Sequence, residues 1–252
     1  MKSHRSKLLV VQCLLFCLTI VPFSTLGQGA PTTDFLEQIQ EYDVSDLWTT
    51  NHIHPEGDST TIDRPEPLGY IGDQFQRLYI HFISVIQNSH NPLEYFVYGK
   101  TRVKTNICRF QGRITIEEAF LYTEGDIPGI DQGYVQGTYT FFEDPEQSGT
   151  GIFEGNFRTD FYFDDKGTIQ YDALMIIADG YRNNQFEGTW TSYRSGTVKE
   201  CNWGDYRIPE GRGLDVGAGN FSPAEKYNKN GWESYRSPWE KSPKGQVEPW
   251  WE

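Results

Sequence analysis

The sequence is short of positive charge, of cysteine and of any recognisable catalytic signature. Lysine and arginine number 22 against 35 aspartates and glutamates, for a net charge of −13. That balance argues against nucleic acid as a partner, because phosphate contacts need a basic surface. It suits a chain that stays soluble outside the cell. No Gly-rich phosphate loop, nucleophile elbow, zincin helix or calcium-loop pattern occurs, and the cysteines form no CxxC redox pair in the mature chain. Nothing in the sequence calls for a metal or a cofactor, and no catalytic residue can be assigned.

Long apolar runs are absent but for one. Lys2, Arg5 and Lys7 precede an apolar stretch from Leu8 to Phe23, and Ser24-Thr25-Leu26-Gly27 supplies small residues. This is the pattern of a secretory leader cleaved near Gly27. Pro22 and the polar chain beyond it argue against a retained anchor, so no membrane span is expected in the mature chain. The expected location is secreted, periplasmic or cell-envelope. Cleavage removes three positive charges, taking the net charge to about −16, and leaves about 225 residues, enough for one all-β domain. Cys13 and Cys17 leave with the leader. Cys108 and Cys201 remain, and in an oxidising compartment they are expected to form one disulfide closing a loop of roughly 90 residues, worth about 4 to 5 kcal/mol in the chain-entropy model.

A five-residue phrase occurs four times. It reads Phe110-Gln111-Gly112-Arg113-Ile114, Val135-Gln136-Gly137-Thr138-Tyr139, Phe153-Glu154-Gly155-Asn156-Phe157 and Phe186-Glu187-Gly188-Thr189-Trp190. On a strand, two apolar side chains and the glycine share one face while the polar pair takes the other. A glycine repeated inside strands marks a bend, a bulge or a close backbone approach. These glycines are expected on the apolar face, with the Gln and Glu residues toward solvent.

The chain then divides into residues 1–27 as leader, 28–67 as a linker with a short helix, 68–203 as a β domain, and 204–252 as an irregular wrap and tail. Asp34 to Trp48 is expected to hold one helix, with Asp34 as cap and Glu37 three residues on. Ser59 to Asp63 reads as a short strand. Eight strands follow at Leu78–Gln87, Leu93–Lys104, Ile107–Leu121, Gly133–Glu143, Thr150–Phe163, Thr168–Ala178, Gln185–Tyr193 and Thr197–Trp203. Hairpin signals such as Asp164-Asp165-Lys166-Gly167 separate most of them. The fold class is all-β: a single antiparallel up-and-down β-barrel or strongly curved sheet of about eight strands. A Cys108–Cys201 bridge would require the last strand to lie near the early ones, as closure into a barrel allows. Residues 204–252 carry too many aromatics for a disordered tail, Trp232, Trp239, Trp250 and Trp251 among them.

The candidate ligand-binding residues are Lys100, Arg102, Lys104, Arg113, His81, Trp203 and Tyr206. Lys100, Arg102 and Lys104 alternate along one strand face, with Arg109 and Arg113 on the next. They either make an anion site or pair with facing carboxylates such as Glu117, Glu118, Glu154 and Asp160. His81 lies mid-strand, as a core imidazole or a base. Trp203, Tyr206, Trp232 and Tyr235 either stack on a sugar ring or flat ligand, or pack the wrap onto the barrel. His52 and His54 form a His-x-His pair with no third ligand at recognisable spacing.

Phe186-Glu187-Gly188-Thr189-Trp190 resembles the Gly-x-Trp and Gly-Thr-Tyr strand phrases of calycin-type barrels, the lipocalins and avidins, though no binding residue carries over. The span from Leu68 to Ser237 resembles a family of uncharacterised secreted proteins of Bacteroidetes-type bacteria. The resemblance rests on Tyr70-Ile71-Gly72-Asp73, Asn184-Gln185-Phe186-Glu187-Gly188-Thr189-Trp190 and Cys201-Asn202-Trp203-Gly204-Asp205-Tyr206-Arg207-Ile208-Pro209. It implies a compartment and no activity. The expected function is a secreted binding module for a small-molecule or glycan ligand. The alternatives are a barrel enzyme of isomerase or cyclase type using His81 or Glu154, and a structural cell-envelope protein contacting partner proteins through 204–252.

Overall fold

The computed structural model describes residues 31–55, 60–235, 237 and 249–252. The leader-like residues 1–27 and Trp239 lie outside the described residues. The elements run β1 (Thr32–Asp34), α1 (Leu36–Ile39), α2 (Asp46–Thr49), β2 (His52–Ile53), β3 (Ile62–Asp63), β4 (Leu68–Ile71), β5 (Gln76–Asn88), β6 (Asn91–Val103), β7 (Asn106–Tyr122), β8 (Gln132–Glu143), β9 (Gly151–Phe163), β10 (Ile169–Tyr171), β11 (Asn183–Ser192) and β12 (Val198–Asp205). A 3₁₀ turn follows at Glu225–Asn230. Among the described residues no helix is long and apolar enough to cross a membrane.

The protein is all-β, and its eight main strands close into an antiparallel ring. The order around it is β4, β5, β6, β7, β8, β9, β11, β12 and back to β4. The eighth strand is not the expected one. Thr168–Ala178 yields only β10, because the Asp172 carboxylate accepts the Leu174 N–H at 3.0 Å and starts a run of turns. Its place in the ring is taken by β4, which the sequence reading left as an unassigned start of the β domain. The expected helix over 34–48 is likewise two short helices, since the Asp43 side chain caps the Ser45 N–H at 3.0 Å and begins the chain's second turn afresh.

The repeated phrase falls where the alternation places it. Phe110, Ile114, Val135, Tyr139, Phe153, Phe157, Phe186 and Trp190 are buried in one core. The glycines share their parity, and Gln111, Glu154 and Glu187 are exposed. Gly155 of β9 stands opposite both Gly188 and Tyr139. A Cβ on Gly155 would run into the Glu187 carbonyl, and one on Gly188 would lie 2.6 Å from the Tyr139 hydroxyl. The glycines therefore allow tightly coiled strands to approach each other while neighbouring rings fill the space. Those rings occupy the interior: Phe186 stacks on Trp203 at 4.9 Å and 12°, with Tyr139 edge-on to Trp203 at 5.0 Å.

Closure separates the two cysteines instead of joining them. Cys108 and Cys201 are free, buried thiols, and the expected disulfide is absent. β7 and β12 are four places apart in a ring of eight, on opposite walls. At ordinary strand spacing and tilt those walls stand roughly 15 Å apart, against a limit of about 7 Å between bridged Cα atoms. The ring closes without a Cys108–Cys201 bridge. Burial pushes the Cys108 thiol up to about 11 and lifts Cys201 well above its usual value, with the Glu143 charge adding to both.

Residues beyond β12 build a second core on the outside of β4. Leu68, Tyr70, Ile208, Leu214, Phe221 and Trp232 are buried together there, with Phe75, Tyr227 and Tyr235 against them. The Trp232 indole N–H donates to the Phe75 carbonyl at 2.7 Å.

Candidate functional site

The ring has a seam. Pro65 and Pro67 immediately precede β4 and have no N–H to give to a ladder, so β4 starts only at Leu68. It pairs with β5 no further than Leu78, while β5 runs on to Asn88. That flank of β5 is closed instead by α2 and by residues 64–67. Trp48 of α2 reaches into the ring, edge-on to Tyr95 at 5.1 Å and to Phe157 at 5.7 Å. Its indole N–H donates to Thr159 Oγ1 at 3.0 Å.

A cavity of about 100 Å³ remains at this seam. Its walls include Trp48, Arg64, Glu66, Ile80, His81, Phe82, Asn184, Phe186, Trp203, Asp205 and Trp251. The strand ends around it are bent toward it. β11 is bulged against β12 between Asn183 and Phe186. Asn184 on β11 has φ 46° and Tyr206, just past the end of β12, has φ 64°, both left-handed conformations. The turned Asn184 donates to the Leu47 carbonyl and to Asp205 Oδ2, each at 3.0 Å, and accepts from Thr159 at 2.7 Å.

Asp205 is the centre of this network and is completely buried. Its Oδ2 accepts from Arg64 Nε, the Tyr171 hydroxyl and Asn184 Nδ2, each at 3.0 Å, and is ion-paired with Arg64 Nη2 at 2.9 Å. Its Oδ1 is buried and has no hydrogen-bond partner. Burial raises the carboxyl above its ordinary value, and Arg64 with the other donors pulls it back. The guanidinium held against it favours the ionised form. Arg64 also donates to the Trp48 carbonyl at 3.1 Å and lies over the Tyr171 ring at 5.1 Å.

The residues singled out in the sequence divide among several places. Trp203 lines the cavity as part of the ring's core. His81 lies at the rim on the outward parity of β5, stacked on Trp251 at 3.8 Å and 13°. Burial and Arg64 lower its imidazole to about 4, so it is neutral at pH 7. Lys100 and Arg102 face outward beside it on β6. Arg113 is elsewhere, paired with Glu94 at 3.0 Å, and Arg109 pairs with Asp144. Lys104 sits in the β6–β7 hairpin turn with φ 56°. Tyr206 is buried and edge-on to Tyr181 at 5.0 Å. Glu154 is exposed on the outer face, so it supplies no inward group. His52 pairs with exposed Asp63 at 3.2 Å. Among the described residues no three His, Cys, Asp or Glu side chains converge as metal ligands.

Arg64, Asn184 and Asp205 were missed. Arg64 carried a weak signal, a cation just after β3 and directly before Pro65-Glu66-Pro67, whose prolines interrupt a ladder. Asp205 carried none, because its burial depends on a seam that only ring closure reveals. Comparison with protein-family models, with curated proteins and with solved structures finds no match.

Proposed function

We propose that the chain is a secreted binding module that holds one small ligand in the seam cavity. The observation that carries this reading is Asp205. A fully buried carboxylate among the residues that line the cavity saturates one oxygen and leaves the other without a donor. Leaving a buried acceptor unsatisfied costs about 1 to 3 kcal/mol, which a donor brought by a ligand would recover. The basic, apolar and small-residue order of 1–27 supports the compartment. The ligand chemistry follows from the walls. Phe82, Phe186 and Trp203 offer an apolar slot, and Asp205 offers one acceptor beside the Arg64 cation. A volume of about 100 Å³ admits a single ring or less. The aromatic packing of the ring leaves no room for a larger enclosed ligand. The ligand class is therefore a small, flat compound with one hydroxyl or amine.

The test is a screen of phenols, anilines and small cyclic alcohols by thermal shift and ligand-observed NMR. Saturable binding is expected in the wild type and loss of it in Phe82→Trp, which fills the slot, and in Asp205→Asn. Binding that survives Phe82→Trp, or ordered water that no compound displaces, would overturn the reading.

A further inference from the structure

The outward face of β5 and β6 beside the seam carries three cations, Arg77, Lys100 and Arg102. Among the described residues none of them makes a close side-chain ion pair, unlike Arg109 and Arg113 on the next strand, and the Glu66 carboxylate is near enough to Arg77 and Arg102 to interact with both. Arg77 and Arg102 both lie over the Tyr79 ring, at 4.3 and 3.9 Å. Arg102 Nε is buried without a hydrogen-bond partner. Such a stack of guanidinium and phenol planes is a platform for flat, electron-rich rings.

The chain's own residues 249–252 are seated on it. The Trp250 ring lies 5.0 Å from the Arg102 guanidinium and 6.0 Å from Tyr79, edge-on to the latter. Its indole N–H donates to Glu66 Oε1. Trp251 stacks on His81. Lys100 Nζ donates to the Trp251 carbonyl and, at 3.3 Å, to a Glu252 carbonyl oxygen. No strand ladder joins this segment to the sheet. It is held as a peptide ligand is held, by two ring pockets, one acceptor for an indole N–H and one cation for backbone oxygens.

We infer that this face is a recognition site for an extended peptide segment with adjacent tryptophans, presented by another polypeptide, and that Trp250 and Trp251 are its built-in competitor. The inference rests on the outer face and is independent of the cavity ligand. A tethered segment competes at millimolar effective concentration, so the wild-type site is masked. Trp251 also forms part of the cavity wall.

The experiment compares the full chain with its Trp250→Ala/Trp251→Ala variant, checked for folding by circular dichroism. Each is titrated with a labelled acetyl-Pro-Trp-Trp-Glu peptide by fluorescence anisotropy. The variant is expected to bind saturably, at least about tenfold tighter than the wild type, in line with loss of a tethered competitor. Adding Arg102→Glu to the variant is expected to abolish binding. No saturable binding by the folded variant, equal binding by both chains, or binding indifferent to Arg102→Glu would overturn the inference. If the double variant fails to fold, Trp251→Ala alone is compared with the wild type on the same criteria. A small-molecule screen that fails while the peptide binds removes the cavity reading and leaves this one standing.

Discussion

Two carboxylates are buried inside the ring, toward opposite ends of β9 and β11, and they are finished differently. Glu143 accepts from Thr101 Oγ1 at 2.6 Å on one oxygen, and from the Gly151 N–H and the Trp190 indole, each at 2.9 Å, on the other. Both oxygens are satisfied and no cation is needed. Asp205 concentrates every donor, a guanidinium included, on one oxygen and leaves the other bare. Equal burial thus hides unequal roles. The first carboxylate ties the ends of four strands together and is complete. The second lines a cavity and keeps one oxygen without a partner. A saturated buried carboxylate is fully accounted for by the fold, and an unsaturated one is not.

The contrast can be broken by substitution. Asp205→Asn is expected to have the largest effect, destabilising the chain by about 3 to 5 kcal/mol in urea unfolding, because it leaves the buried Arg64 cation uncompensated. Glu143→Gln, where no cation is stranded, is expected to cost about 1 to 3 kcal/mol from one mismatched donor. If the two substitutions cost the same, the distinction between the ends fails. Between them, Gly155→Ala is expected to destabilise by about 1 to 3 kcal/mol, since its methyl meets the Glu187 carbonyl across the strand gap.

Acid sharpens the comparison in a different way. Burial raises the Glu143 carboxyl in the folded state above its ordinary value. Folding therefore favours its protonated form. The stability this contributes is present below the unfolded carboxylate value and lost as pH rises through the folded one. The melting temperature is expected to rise as pH falls from 7 into the carboxylate range, and the rise is expected to be smaller in Glu143→Gln. A melting temperature that falls steadily over that range in the wild type would contradict it. The smallest expected effect is that of a reductant. With Cys108 and Cys201 on opposite walls, dithiothreitol is expected to leave the melting temperature unchanged, and thiol titration to reach both only after unfolding.

Sequence alone carried the ring's walls and not its ends. The four glycine phrases announced their own faces, because alternation in a strand is local and each phrase repeats it. The compositional excess of Asp and Glu, the hairpin at Asp164 to Gly167 with Gly167 at φ 74°, and the aromatic wrap after β12 were legible for the same reason. The site was not. Trp203 and His81 were named for the wrong surroundings. Cys108 was placed near Cys201 because position along the chain gives no measure of distance around a ring.

What the sequence determined by itself is therefore a parity, a set of strands and a sign of charge, all properties of neighbours a few residues apart. Only the tertiary structure decided which strand closes the ring, since β4 pairs with both β5 and β12 whereas β10 pairs with β9 alone. The same closure opened the seam behind Pro65 and Pro67 and brought Arg64, Asn184 and Asp205 together. It also seated Trp251 on His81. Some of those contacts, Arg64 with Asp205 and His81 with Trp251, join residues more than a hundred positions apart. Their energies depend on burial, which no segment possesses until the ring has closed.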